Sequence, residues 1–219
     1  MKKLLSFVVG AVILFTGVSV GQASFENRPL TEGLSAPTAH TLNQGEFTVG
    51  LGPVNYGLTD NAQVGTNIFM MFLGPNFNGK FTVIEPTETN IGLAVGGGYY
   101  KVDFGDLGGI TGIPLFTSAT KILSPGTKFH VTGQYTDFSA DVGDEITGNL
   151  TGSSVTGGFE TNMGDRANFL AEATYSMTYE ELFAGAGLLF GWDTFRLKLG
   201  AQLTPRTWPV IGLWWRFDV

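Results

Sequence analysis

The chain has 219 residues, 12 of them basic and 19 acidic, with 32 glycines, no cysteine and only 14% charged residues, where a soluble domain usually carries about 25%. The lack of cysteine excludes disulfides, thiol catalysis, cysteine-based metal sites and a lipid anchor on an N-terminal cysteine. The acidic balance excludes a basic surface for nucleic acid.

The chain opens MKKLLSFVVGAVILFTGVSVGQA. Lys2 and Lys3 give a charged start, Leu4 to Val20 an apolar run, and Gly21-Gln22-Ala23 small residues at its exit. That is the pattern of a secretory signal peptide over residues 1–23, cut after Ala23. The run is short against the roughly 20 residues a spanning helix needs, and no other stretch approaches it, so a helical membrane protein is excluded. Cleavage leaves 10 basic and 19 acidic residues, a net charge of −9. Residues 24–45 form an N-terminal segment with room for a first strand in 28–44, in spite of Pro37.

From Glu46 onward the dominant pattern is alternation with period two, the mark of strands. Runs begin near Phe47, Val64, Phe77, Ile91 and Ile113. In KFHVTGQYT, Phe129, Val131, Gly133 and Tyr135 oppose Lys128, His130, Thr132 and Gln134. A run near Val155 follows, then NFLAEATYSMTY, which sets Phe169, Ala171, Ala173 and Tyr175 against Asn168, Leu170, Glu172 and Thr174. Another begins near Ala184. FRLKLGAQL sets Phe195, Leu197 and Leu199 against Arg196, Lys198 and Gly200, and the last run puts Ile211, Leu213, Trp215, Phe217 and Val219 on one face. This makes eleven strands. Tight turns are read at 58–61, 85–90, 124–127, 163–166 and 191–194, and longer polar loops at 103–112 and 137–150.

A soluble sandwich also alternates, so the second face decides. Here it carries mostly Gly, Thr, Ser, Asn and Gln with isolated charges, which suits an enclosed lumen better than open water. Aromatics near strand ends on the apolar face, such as Phe129, Tyr135 and Tyr179, match interfacial girdles.

With this signal peptide, strand pattern and terminal GLWWRFDV, the chain resembles bacterial outer-membrane β-barrel proteins. The resemblance implies an all-β fold: a closed antiparallel up-and-down transmembrane β-barrel over residues 46–219. It also implies that Ile211, Leu213, Trp215, Phe217 and Val219 double as a recognition signal for the barrel-assembly machinery. Outer-membrane lipid and lipopolysaccharide are the further partners, and the bacterial cell outer membrane is the location. TLNQGEFTVGLGPVNYGLTDNAQVGT resembles the first hairpin of some predicted outer-membrane proteins and implies no activity.

Single-chain bacterial barrels have an even number of strands, with short turns on the periplasmic side. The five tight turns then share the side of the C-terminus, and the longer loops face outward. Eleven strands leave Glu46–Tyr56 starting from outside. The count is therefore 10–12, with 12 favoured through a further strand in 28–44. Gly52-Pro53, where apolar parity shifts, reads as a bulge.

Candidate sites are few. The lumen-facing set is Lys80, Lys128, His130, Glu160, Glu172, Arg196, Lys198 and Arg216, joined on that face by bulky Phe69, Tyr100, Leu170 and Trp214. His40 and His130 are the two histidines. His130 sits at the periplasmic end of its strand, the wrong end for lipid hydrolysis. Ser118 lies on the preceding strand, and no acidic partner stands at useful spacing. The glycine runs AVGGGYY and AGAGLLFG lie inside strands and lack the strand–turn–helix context of a phosphate loop. Asp137, Asp141, Asp144 and Glu145 read as a solvated acidic loop. No metal or cofactor site is expected. The sequence points to a non-enzymatic barrel with a narrow, partly plugged lumen, acting as a pore or as a structural or surface-contact element. A barrel enzyme acting on outer-membrane lipid and a soluble β-barrel binding a small apolar ligand are the alternatives.

Overall fold

A computed structural model describes residues 29–105, 108–142, 146–203 and 207–218. The signal-peptide residues, Asp144 and Glu145 of the acidic loop, and Val219 lie outside the described residues. The chain forms twelve antiparallel strands that close into a barrel, each paired with its sequence neighbours and β1 with β12. The strands are β1 (Glu46–Gly50), β2 (Pro53–Thr59), β3 (Ala62–Asn67), β4 (Asn76–Ile84), β5 (Gly92–Asp103) and β6 (Gly109–Ser124). They continue as β7 (Thr127–Val142), β8 (Ile146–Asn162), β9 (Ala167–Ser176), β10 (Glu181–Gly191), β11 (Phe195–Leu203) and β12 (Trp208–Asp218). One short helix, α1 (Ile68–Met71), joins β3 to β4.

The closed barrel of twelve strands matches the sequence reading, but the twelfth strand is not in 28–44. The described residues of that stretch form no strand, only an isolated bridge between Glu32 and Pro37. Instead the run Glu46–Tyr56 splits in two. Gly52, at φ +115°, is a reversal rather than a bulge, and Phe47 lies opposite Tyr56 across the hairpin. A left-handed backbone is open to glycine at little steric cost. The split also removes the sidedness problem, because Glu46 now starts at the end of the barrel where β12 finishes, opposite Asp218.

The polar loops read at 103–112 and 137–150 are mostly strand. β7 and β8 stay in register out to Val142 and Ile146, and β5 and β6 out to Asp103 and Gly109. Ladder hydrogen bonding continues beyond the greasy band, where neither face need be apolar, so the alternation that marks a strand fades before the strand ends. Asp137 and Asp141 therefore lie on β7, opposite Thr151 and Thr147.

The outer face between the strand ends is apolar: Phe81, Val95, Leu115, Val131 and Leu199 are among the exposed large hydrophobics there. Near the C-terminal end of the barrel, Trp192, Phe195 and Trp215 pack in a row with ring centroids 5.3 Å apart. Phe69, assigned to the lumen from sequence, belongs to α1 and is 58% exposed. Leu170 is buried inside the barrel, and Trp214 packs against the same inner cluster.

The wall is uneven. β1, β2 and β3 have 5, 7 and 6 residues, while β6 to β8 have 16 or 17. β1 ends opposite Trp214, so among the described residues no strand pairs with Trp208–Gly212 on the β1 side. Above the β1–β2 hairpin no described strand flanks β12 on that side; the start of α1 meets the turn there, Ile68 N–H donating to Gly52 O at 2.7 Å.

Candidate functional site: a lumen occupied by the N-terminal segment

All eight charged residues assigned to the lumen are buried: Lys80, Lys128, His130, Glu160, Glu172, Arg196, Lys198 and Arg216. Period-two side chains on a closed sheet have only the interior or the outside to face. What the sequence did not reveal is that four of them, Lys80, Glu172, Lys198 and Arg216, grip residues 29–45, which run round the inside of the wall.

The segment meets the strands in the order in which they stand around the barrel. Pro29 O accepts from Arg216 Nη1 of β12 at 3.0 Å. Gly33 O and Leu34 O accept from Lys198 Nζ of β11 at 3.0 and 2.7 Å. Ser35 donates its N–H and its hydroxyl to Glu172 Oε2 of β9, at 2.9 and 2.6 Å. Pro37 O accepts from Thr132 of β7 at 2.6 Å and Ser118 of β6 at 2.9 Å. Ala39 O accepts from Thr82 of β4 at 2.8 Å, and Leu42 N–H donates to Gln63 of β3 at 2.9 Å. The chain then enters β1 at Glu46, whose carboxylate holds Arg216 through bonds of 2.8 and 2.6 Å.

Most of these bonds use backbone groups of the segment. A non-strand backbone inside a barrel leaves its carbonyls and amides unpaired, and an unpaired buried polar group costs about 1–3 kcal/mol. The lumen side chains supply the missing partners. Lys80 shows this clearly, donating to Thr31 O at 2.7 Å and Thr38 O at 3.3 Å from a buried position.

Apolar packing supplies the rest. Leu30, Leu34, Leu170 and Leu189 form the buried cluster, with Val210 and Trp214 against it. Leu34 sits over Gly185, Gly187 and Gly200; a Cβ built on any of these would lie 2.6–3.0 Å from its methyl groups. The glycine run AGAGLLFG is thus a socket for one leucine, in keeping with its structural reading.

Near the C-terminal end of the barrel a second group gathers around Glu160. Lys128 Nζ lies 3.4 Å and Asn168 Nδ2 2.9 Å from Oε1, and His130 Nε2 lies 3.5 Å from Oε2. His130 Nδ1 meets Thr120 Oγ1 at 2.9 Å. An acidic partner for His130 therefore exists, contrary to the sequence reading, which had no cross-strand register to place Glu160. The hydroxyl beside it belongs to Thr120 and not Ser118, which bonds Thr132 and Pro37. Thr120 is wholly buried and already accepts the Ala39 N–H at 2.9 Å. A hydroxyl, an imidazole and a carboxylate stand in line, with the segment's backbone packed on the hydroxyl that would act.

His40, on the segment itself, is held well below its ordinary pKa of 6.5 by burial, and the charges of Lys128, His130, Lys80 and Arg216 act in the same direction. Among the described residues no group of three acidic, histidine or cysteine side chains is arranged to hold a metal ion.

One cavity of about 370 Å³ opens beside the segment, lined by Leu30, Glu32, Thr48, Asn55, Lys198 and Trp214 among others. Of the signal assigned to the last strand, Ile211, Leu213, Trp215 and Phe217 lie on β12 with outward parity.

No protein-family model matches the chain, and no curated protein matches it. Among solved structures it is similar to the KdgM porin, with 9% identity and a TM-score of 0.44, over 78% of this chain and 96% of that one. The same porin in complex with disordered oligogalacturonate gives 9% identity and a TM-score of 0.45 over the same shares.

Proposed function

We propose that this chain is a non-enzymatic barrel of the bacterial outer membrane whose lumen is stoppered by its own residues 29–45, a narrow or closed pore in the resting state. The supporting observation is the pairing of a lipid-compatible exterior with a lumen in which Lys80, Glu172, Lys198 and Arg216 are spent on the segment. An exterior carrying Phe81, Val95, Leu115 and Leu199 exposed suits hydrocarbon. Residues 1–23 act as the cleaved leader. Outer-membrane lipid and lipopolysaccharide contact the exterior, and β12 with Val219 addresses the barrel-assembly machinery.

Bilayer conductance of the refolded protein tests this. Intact protein gives little or no current, with weak anion preference, and Lys198→Gln opens larger steps. Large, steady, cation-selective channels from the intact protein would overturn it. Lipid hydrolysis by the folded protein that is lost in His130→Ala would establish the enzyme reading instead.

A further inference from the structure

The cavity beside the segment does not stop at the wall. On β12, Val210, Gly212 and Trp214 alternate with Ile211 and Leu213, and all five line the same space. Successive strand residues point to opposite faces of a sheet, and the lining takes in both sets at the edge of β12 that β1 leaves unpaired, so the cavity reaches that edge from inside. It does so above the β1–β2 hairpin, where no described strand flanks β12 on that side. Leu51, in that hairpin turn, lines it too. Ile211 is 67% and Leu51 51% exposed, so the outer rim is greasy. The inner end rests on Leu30, Leu34 and Trp214.

The strand edge bounding this opening is polar. Leu51 N–H donates to Leu213 O at 3.0 Å, which fixes the backbone groups of Leu213 as pointing toward β1. Every second residue points the same way, so Ile211 and Pro209 direct theirs into the opening. Proline has no N–H, which reduces the edge by one donor, but Ile211 retains a donor and an acceptor. Ile211 is level with Leu199 of the exterior band. Open sheet edges are not tolerated against hydrocarbon, so an occupant with a polar end and an apolar body suits this place.

Charge selects the class of polar end. Lys198 is paired with Glu32 at 2.9 Å and Arg216 with Glu46 at 2.6 Å. A charged head would have to break one of these pairs. The remaining polar side chains of the cavity, Thr31, Ser35, Thr48 and Asn55, are hydroxyls and an amide. A volume of about 370 Å³ is within the range of small-molecule sites.

The geometry points to a lateral binding site for a neutral single-chain amphiphile, an acyl chain with a hydroxyl-bearing head, admitted from the membrane between the β1–β2 hairpin and β12. This inference rests on the outer-membrane reading above.

The test uses the full mature protein in lipid vesicles, with Trp192, Trp208 and Trp215 replaced by Phe so that Trp214 alone emits. The probe is a monoacylglycerol brominated at mid-chain, which quenches tryptophan on contact. The expected result is a saturable loss of most of the Trp214 emission, restored by excess monoolein and much reduced in Thr48→Phe and Asn55→Phe, which narrow the cavity. Should neither filled variant fold, competition by monoolein decides alone. Quenching that is absent, that never saturates, or that persists unchanged in a folded filled variant overturns the site. Equal quenching by a brominated fatty acid in its ionised form overturns the neutral head. Heat-dependent gel mobility and membrane fractionation of the same preparation report on the membrane barrel independently, so a failed site is distinguishable from a failed reading of the fold's location.

Discussion

Glu172 holds Ser35 from 137 positions away in the chain: one carboxylate oxygen accepts both the backbone N–H and the side-chain hydroxyl of that residue. Its second oxygen takes the Ala36 N–H at 3.3 Å. Hydrogen bonds to a charged group are worth about 1.5–3 kcal/mol each, net of water. Glu172→Ala removes the whole set while leaving the ladder of β9 intact. The expected outcome is a barrel with normal heat-dependent mobility and a segment open to protease, read by limited proteolysis with proteinase K, since residues 29–45 hold no Lys or Arg for trypsin; an unchanged digestion pattern would mean that Glu172 does not anchor the segment.

Neighbouring residues of β11 should fail in different ways. Leu199 is 43% exposed on the outer band and Lys198 is buried against the segment. An arginine on the lipid face near the midplane costs about 2–4 kcal/mol, so Leu199→Arg should lose most of its folding yield in lipid. Lys198→Gln should fold well and conduct. Equal folding yields for the two would contradict a lipid-facing exterior.

Leu34→Ala empties the socket made by Gly185, Gly187 and Gly200. Leucine-to-alanine changes in packed sites cost about 2–5 kcal/mol, here charged to docking of the segment and not to the barrel. Hydrogen exchange of amides 33–42 should accelerate sharply, while exchange in β9 to β11 stays slow. Uniform acceleration across the barrel would show that segment and wall unfold together.

Acid should loosen the segment. The folded-state pKa of His40 is depressed by burial, so below about pH 6.5, the ordinary histidine value, the released segment binds more protons than the docked one. Stability then falls as pH falls toward the depressed value and is unaffected above pH 7 by this group. Protease access to the segment should rise on acidification in the wild type and much less in His40→Gln; an identical pH response in both would assign the effect to another group.

How much of this was legible in the sequence follows the strength of the alternation. Phe169 to Tyr175 could be assigned residue by residue because Leu170 and Glu172 differ from their neighbours in contact, not only in type. The tops of β7 and β8 escaped because Thr136–Ala140 and Thr147–Gly152 each hold one large apolar residue, Phe138 and Leu150, among polar or small ones, too few to show a period. The β1–β2 reversal escaped because five- and seven-residue strands flanking Leu51-Gly52 read as one interrupted strand. The segment was hardest. Leu30, Leu34, Ala36, Ala39 and Leu42 are all buried, yet their spacing has neither helical nor strand period. Its contacts are made chiefly by backbone carbonyls and amides, which carry no trace in residue identity. The lumen lysines were visible, but what they hold was not.

Arg216 grips Pro29 with one nitrogen and the Glu46 carboxylate with two others, so one side chain serves two fastenings. The guanidinium belongs to β12, Glu46 opens β1, and Pro29 stands at the start of the described segment. Closing the sheet and tethering the stopper therefore share a single seam. Prising β1 from β12 would free the stopper's first residues in the same stroke, and a pull on the stopper's start would load that seam rather than the middle of the wall.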